Sequence, residues 1–154
     1  MSGRVETLKV LLDTSFILPS LGIDVGEEVL EGLRRLAASR VEIYYSGFSL
    51  LESLWVSARL SAGAAIDMEG FRLGLRSVVE GGRYRRVGET SQVFSDALGL
   101  YTLGHRDMVD NVLYACSTNL GMKFLTVDEE LKEFVGSRGL EDTLLSPDQL
   151  PTSR

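Results

Sequence analysis

Apolar positions along this chain alternate between two periods, one suited to buried strands and one to amphipathic helices. Leu8, Val10, Leu11 and Leu12 form the short, near-continuous apolar run expected of a parallel strand covered on both faces. Val29, Leu30, Leu33 and Leu36 then recur at helical spacing within 25–38, after a short helical turn at 16–21. Residues 41–45 alternate and are β-branched or aromatic, which predicts a second strand ending at Ser46-Gly47. Ser49-Leu50-Leu51-Glu52 has the capping-box pattern and opens a helix running to Gly63. Further helices are predicted over 64–79, closed by Gly81-Gly82, over 91–100, and over 108–119 with Gly121 as its cap. A third apolar strand at 122–127, a short helix at 129–135 and a last strand at 143–145 follow. Strands alternating with helices predict a three-layer α/β/α sandwich around a central parallel sheet of four to five strands. Residues 1–150 read as a single domain and 151–154 as a loose tail.

This arrangement gives several acids a common address. Asp13 ends the first strand, Glu52 lies near the start of the helix after the second, Asp107 and Asp110 open a later helix, and Asp128 ends the third strand. In a right-handed parallel sheet, strand carboxyl ends and the amino ends of the following helices share one edge, where open α/β sheets bind ligands. Each acid also has a plain structural reading: Asp13 and Asp107 as helix caps, Glu52 as the acid of a capping box, Asp110 as a first-turn acid favoured by the helix dipole. Their conjunction is what the structural readings leave unexplained. Like charges this close raise one another's pKa unless a cation neutralises them, and an all-oxygen donor set selects a hard ion, Mg²⁺ or Mn²⁺. A divalent ion on a carboxylate edge suits phosphoryl chemistry.

The composition narrows the class. At 154 residues the chain buries roughly 68 to 70% of the surface its unfolded form exposes, enough for one substantial core. No apolar run approaches the ~18 residues of a membrane span, and no amino-terminal export signal is visible, so no membrane role and a cytoplasmic location are expected. Cys116, the single cysteine, lies in an apolar helical run and reads as a buried core thiol. A net charge of −6 argues against gripping nucleic acid by bulk positive charge. Local help would be needed, and Arg83, Arg85 and Arg86 form the one dense basic cluster; a solvated loop is the alternative reading of it. His105 and Arg106 precede a helix and are further RNA-contact candidates, with loop packing the competing role for His105. Trp55 is expected to pack a helix against the sheet or a partner, with Phe48, Leu51 and Leu54 joining it in a dimer face.

Leu12-Asp13-Thr14-Ser15, Glu52, the run from His105 to Ala115 and Leu125-Thr126-Val127-Asp128 resemble, in order and spacing, the PIN-domain ribonucleases. The resemblance spans nearly the whole chain and is strongest to small stand-alone prokaryotic members, the VapC toxins included, especially archaeal ones. It implies a Mg²⁺- or Mn²⁺-dependent endoribonuclease, often a homodimer, acting on RNA and in the toxins paired with a protein antitoxin. It also implies that Asp13, Glu52, Asp110 and Asp128 are the catalytic, metal-binding quartet, with Asp107 beside them. Ser15 and Thr126 match hydroxyl positions that orient the acids or a water. The middle, about 61–104, is longer than in many compact toxins, which bears on the toxin role more than on the chemistry.

The rival classes differ at particular residues. A haloacid dehalogenase-type phosphatase needs a second acid two residues after the first, where this chain has Ser15. A receiver domain places its phosphorylated Asp on the third strand. An RNA-processing nuclease has the same residues as a toxin and differs in substrate. A degenerate PIN-fold module, binding RNA or protein without catalysis, would have lost a ligand, and none of the four principal acids is missing.

Overall fold

The computed structural model describes residues 6–62 and 66–151. Five short strands, β1 (Lys9–Leu12), β2 (Glu42–Tyr45), β3 (Tyr84–Arg86), β4 (Lys123–Leu125) and β5 (Leu144–Leu145), form one all-parallel sheet in the order β3-β2-β1-β4-β5. Val10 pairs with Ile43 on one side and Lys123 on the other, so β1 lies at the centre. Six helices connect and cover the strands: α1 (Glu27–Ala38), α2 (Gly47–Ser61), α3 (Met68–Glu80), α4 (Ser91–Leu103), α5 (Met108–Leu120) and α6 (Glu129–Ser137). The sandwich is the predicted one, with the sheet at the upper end of the expected strand count.

The period of two along each strand divides the core into two halves. Leu11 and Phe124 point to the half built with α4, α5 and α6, through Val93, Leu113 and Leu131. Val10, Leu12, Ile43 and Leu125 point to the other, against Val29 and Leu36 of α1 and Val78 of α3. Helix α5 is buried without interruption from Asp110 to Ser117, which is why its apolar residues do not form a stripe and why it can carry a carboxylate inward. Cys116 is fully buried in this helix, and burial pushes its thiol up to about 12, the inert behaviour of a core cysteine.

Three expectations need correction. The Arg83–Arg86 stretch is not a loop: Tyr84, Arg85 and Arg86 pair with β2, and an arginine-rich edge strand three residues long is a poor template for further pairing. Helix α2 begins two residues before the predicted capping box, because Ser46 is its cap, accepting a bond from the Phe48 amide at 3.1 Å. The same helix is turned inside out. Its buried face carries Ser49, Ser53 and Ser57, with Ser53 and Ser57 bonding back to carbonyls one turn earlier, whereas Trp55 is 63% exposed and Leu51 52%. Trp55 therefore does not pack on the sheet. The predicted start of α3 at Ala64, the predicted end of α2 at Gly63 and the tail beyond Pro151 lie outside the described residues. Among the described residues no helix is long and apolar enough to cross a membrane.

Helix α3 lies tightly against the 3₁₀ turn Leu18–Leu21, because Gly74 has no side chain: a Cβ there would stand 1.8 Å from the Ser20 carbonyl oxygen. Gly99 on α4 has open space around the same position. Gly74→Ala should destabilise the protein by about 1–3 kcal/mol despite alanine's better helix propensity, because backbone must move to admit the methyl group. Gly99→Ala should stabilise by up to about 1 kcal/mol. Thermal melts of the two variants test the pair; shifts of the same sign would refute this account of the α3 contact.

Candidate active site

The order in which strands are added reverses at β1, since β2 and β3 extend the sheet to one side and β4 and β5 to the other. The crevice beyond the carboxyl ends at such a switch point is where open α/β sheets take ligands. Asp13 leaves β1 into this crevice, its amide donating to the Leu125 carbonyl at 3.0 Å and its Oδ2 accepting from the Thr126 hydroxyl at 2.9 Å. It precedes the 3₁₀ turn Thr14–Phe16 but makes no side-chain cap, so capping does not explain it. The carboxyl is almost wholly buried, at 7% exposure.

Glu52 is likewise free of the role its spacing suggested. With Ser46 as cap, the Ser49–Glu52 capping box does not form; Glu52 is half-buried in the second turn of α2 and accepts no hydrogen bond from a described residue. The Ser49 hydroxyl one turn away, and the Thr14 hydroxyl next to Asp13, are both buried without a partner. Asp110 enters on the first turn of α5 at 6% exposure. Asp107 does cap α5, accepting from the Asp110 amide at 3.1 Å, and is itself exposed. Asp128 caps α6 through Oδ1, which accepts from the Glu130 and Leu131 amides, and its own amide donates to Thr126. Thr126 thus ties the β4 acid to the β1 acid.

These carboxyls act on one another. Burial, then the charge of Asp13, then a hydrogen-bonded contact with Asp128, push Asp110 up to about 9, with Asp107 adding to the effect. Burial raises Asp13 to about 6; Glu52 and Asp128 contribute, while the Thr126 hydroxyl and the Thr14 amide partly offset the rise. Among the described residues no lysine, arginine or histidine lies within ion-pair distance of Asp13, Glu52, Asp107, Asp110 or Asp128. The acids are close enough to repel yet, among the described residues, no three His, Cys, Asp or Glu side chains are gathered as a closed metal-holding group. What they offer is an all-oxygen donor set with uncompensated charge and two unpartnered hydroxyls beside it, donor chemistry of the kind that suits a hard divalent cation.

The remaining candidates are placed less favourably. Ser15 is half-buried and bonds to none of the acids, so the hydroxyl that orients Asp13 is that of Thr126. His105 is 4% exposed; its Nδ1 lies 2.7 Å from Asn111 Oδ1, Asn111 Nδ2 donates back to the His105 carbonyl at 2.8 Å, and its ring packs on Phe134. With the amide nitrogen of Asn111 so committed, Nδ1 is the donor, and the residue is a buried clasp rather than an RNA contact. Asn111 was not singled out by the sequence, although a lone amide in an apolar run was a usable signal. Arg106 is exposed and stacks over Tyr101 at 5.0 Å. The basic cluster is split by its strand. Arg83 donates to the Leu36 and Val41 carbonyls at the opposite edge, Arg85 pairs with Glu42, and only Arg86 reaches the amino end of α2, where its Nη2 would stand 2.6 Å from a Cβ on Gly47.

Fold and site together describe a PIN-like α/β protein with a carboxylate crevice at the sheet's switch point. No known family model matches the chain and no curated protein matches it by sequence. Solved structures do match. A chain of a toxin–antitoxin complex from Klebsiella pneumoniae is 13% identical with a TM-score of 0.57, over 90% of this chain and 97% of that one. VapC20 from Mycobacterium tuberculosis, a sarcin–ricin loop cleaving toxin, is 17% identical with a TM-score of 0.58, over 86% and 97%. A chain of VapBC2 from Rickettsia felis, solved bound to a DNA fragment from its promoter, is 13% identical with a TM-score of 0.59, over 90% and 98%. The structural neighbours are thus VapC and PIN-domain toxin–antitoxin proteins, and at these identities what they share with this chain is the fold.

The raised carboxyls make stability depend on pH in a definite direction. Unfolded, both acids titrate near about 3.9. Above that pH the unfolded state ionises first and gains relative to the folded one, so stability contributed by the protonated forms is complete below pH ~4. It falls as pH rises, through about 6 for Asp13 and about 9 for Asp110. In EDTA, Asp110→Asn should raise the melting temperature at pH 8 by at least about 2–4 °C, the equivalent of 1 kcal/mol in a domain of this size. The gain should vanish near pH 4. An equal shift at both pH values would show that Asp110 is not held protonated.

Proposed function

We propose that this chain is a divalent-metal-dependent endoribonuclease that hydrolyses RNA phosphodiesters, with Asp13, Glu52, Asp110 and Asp128 as the residues that hold Mg²⁺ or Mn²⁺. The observation that carries the reading is the convergence of acids from four separate elements on the switch-point crevice, two of them buried and, among the described residues, without a basic side chain to neutralise them. Such charge is costly to keep in a folded chain unless a cation uses it. When bound, Mg²⁺ or Mn²⁺ lowers the pKa of a water and neutralises charge on the phosphate oxygens. The chain's own contribution is positional. Thr126 orients Asp13, the α6 amides hold Asp128 by one oxygen while its carboxylate contacts Asp110, and Asp110 would give up its proton on holding the ion.

The toxin–antitoxin character of the structural neighbours favours a toxin role, with RNA as substrate and a protein antitoxin as partner, over an RNA-processing role. A homodimer is supported by the exposed apolar face of α2 and α4, where Phe48 meets Phe94 edge-on at 5.7 Å and Leu51, Trp55 and Leu98 stand more than half exposed. That face includes Phe48, Leu51 and Trp55, three of the four residues the sequence nominated.

Asp13→Asn, Glu52→Gln and Asp110→Asn should each lower Mn²⁺-dependent RNA cleavage by at least about a hundredfold, beyond the 10–100-fold typical of outer-shell changes, with folding intact by circular dichroism. Expression of the wild type, and not of Asp110→Asn, should arrest growth. Cleavage that persists in EDTA, or in all three variants, sinks the mechanism. Separately, sedimentation across a dilution series should show a dimer that Leu51→Glu with Trp55→Glu dissociates; a wild-type monomer at every concentration removes the dimer.

A further inference from the structure

Beside the acid crevice, between α6, β5 and the 3₁₀ turn Pro147–Gln149, lies a second cavity of about 290 Å³. Thr126 and Asp128, which also serve the acid crevice, form part of its wall, so the two spaces adjoin along this segment. Its size falls at the small end of the range for small-molecule sites, enough for one planar heterocycle. Val127, Leu144 and Leu145 line it with apolar surface, while Glu28 and Lys132 stand on its rim, both exposed and without an ion-pair partner among the described residues. Asp128, Glu129 and Asp142 add further carboxylates to the wall. That charge repels a phosphate group. It suits a ligand with a flat apolar face and a polar edge that donates to carboxylates.

We propose that this cavity seats the nucleobase adjoining the phosphodiester to be cut, and that it prefers a base carrying an exocyclic amino group to uracil. The assignment rests on the nuclease reading above and names its specificity determinant. A base held between Leu144 and α6 would leave its own phosphate at Thr126 and Asp128, the residues common to both spaces. Glu28 would accept from the amino group, as acidic side chains do from the N4 amine of cytosine, and the Lys132 ammonium would donate to a ring nitrogen or carbonyl. Uracil presents an oxygen where cytosine presents the amine, so the carboxylate would meet an acceptor.

Gly136 offers a clean way to close the cavity. It lines the space from α6, its backbone lies outside the left-handed region, and a Cβ there meets nothing within 4 Å. Gly136→Leu should therefore fill the cavity while favouring the helix. The test titrates the protein in Mg²⁺, which offsets the phosphate's charge beside the acids, with cytidine 5′-monophosphate, uridine 5′-monophosphate and ribose 5-phosphate, followed by amide NMR, beside cleavage of a mixed-sequence RNA in Mn²⁺. Cytidine monophosphate should shift the Gly136 and Leu144 amides and bind at least about tenfold more tightly than the other two, the discrimination expected of a well-made base contact. Gly136→Leu should abolish that binding and alter cut-site preference. Should Gly136→Leu fail to fold, Glu28→Gln should erase the preference for cytidine over uridine. Equal binding of ribose 5-phosphate, or no binding by any nucleotide while RNA is still cut, overturns the base site and leaves the nuclease reading standing. Cytidine binding that Gly136→Leu abolishes, in a protein that cuts no RNA, supports the base site and overturns the nuclease reading instead.

Discussion

Two buried carboxyls, Asp13 and Asp110, with no counter-ion among the described residues, are the interaction around which this molecule is organised. Neither is placed by a local rule. Asp13 is delivered by the central strand and fixed by a hydroxyl from β4, and Asp110 is carried inward by a helix buried through two full turns. Burying charge without a partner is among the costliest things a fold can do, and groups so placed respond by shifting their pKa. The directions seen at Asp13 and Asp110 are that response. A chain that tolerates this cost at the edge where parallel sheets bind ligands holds charge in reserve for something that brings the opposite sign.

The surroundings of the pair follow from the same economy of space. The buried face of α2 is a line of serines, small enough to let the helix lie close to the 3₁₀ turn after Asp13, and the hydroxyls of Ser53 and Ser57 are returned to the helix's own carbonyls. Having spent its inner face on close approach, the helix presents its large apolar side chains outward, where they meet those of α4. The same placement that brings Glu52 near the crevice thus creates an uncovered apolar ridge. On the opposite flank, Thr126 and Asp128 serve the crevice with their polar atoms and wall a second cavity, coupling the two spaces through one short segment.

Much of this was legible in the chain because periodicity and turn chemistry are local. Apolar runs placed four of the five strands and all six helices, with bounds shifting by up to four residues, and the acids at strand ends and first turns followed from them. Edge strand β3 escaped because three residues, two of them arginine, are too few to express a period, and pairing with β2 rather than composition made it a strand. The Ser49–Glu52 capping box misled because an equally good cap, Ser46, lay three residues earlier; only the end of β2 decided which serine began the helix. For His105 the sequence weighed loop packing against an RNA contact, and packing holds, through Asn111 and through Phe134, 29 residues away. The sequence left Trp55 open between the sheet and a partner, and only the close approach of the neighbouring turn to the serine face decided that it points outward.

The sequence by itself determined the alternation of strand and helix, and with it the edge on which Asp13, Glu52, Asp110 and Asp128 lie, because chirality makes every crossover return to the same side. It also determined the donor chemistry, oxygen without histidine or cysteine. Tertiary structure decided which acids are caps and which are free, which of them are buried, and how strongly each feels the others. Those properties depend on distance and solvent exclusion between residues far apart in the chain, and neither quantity has a local signature.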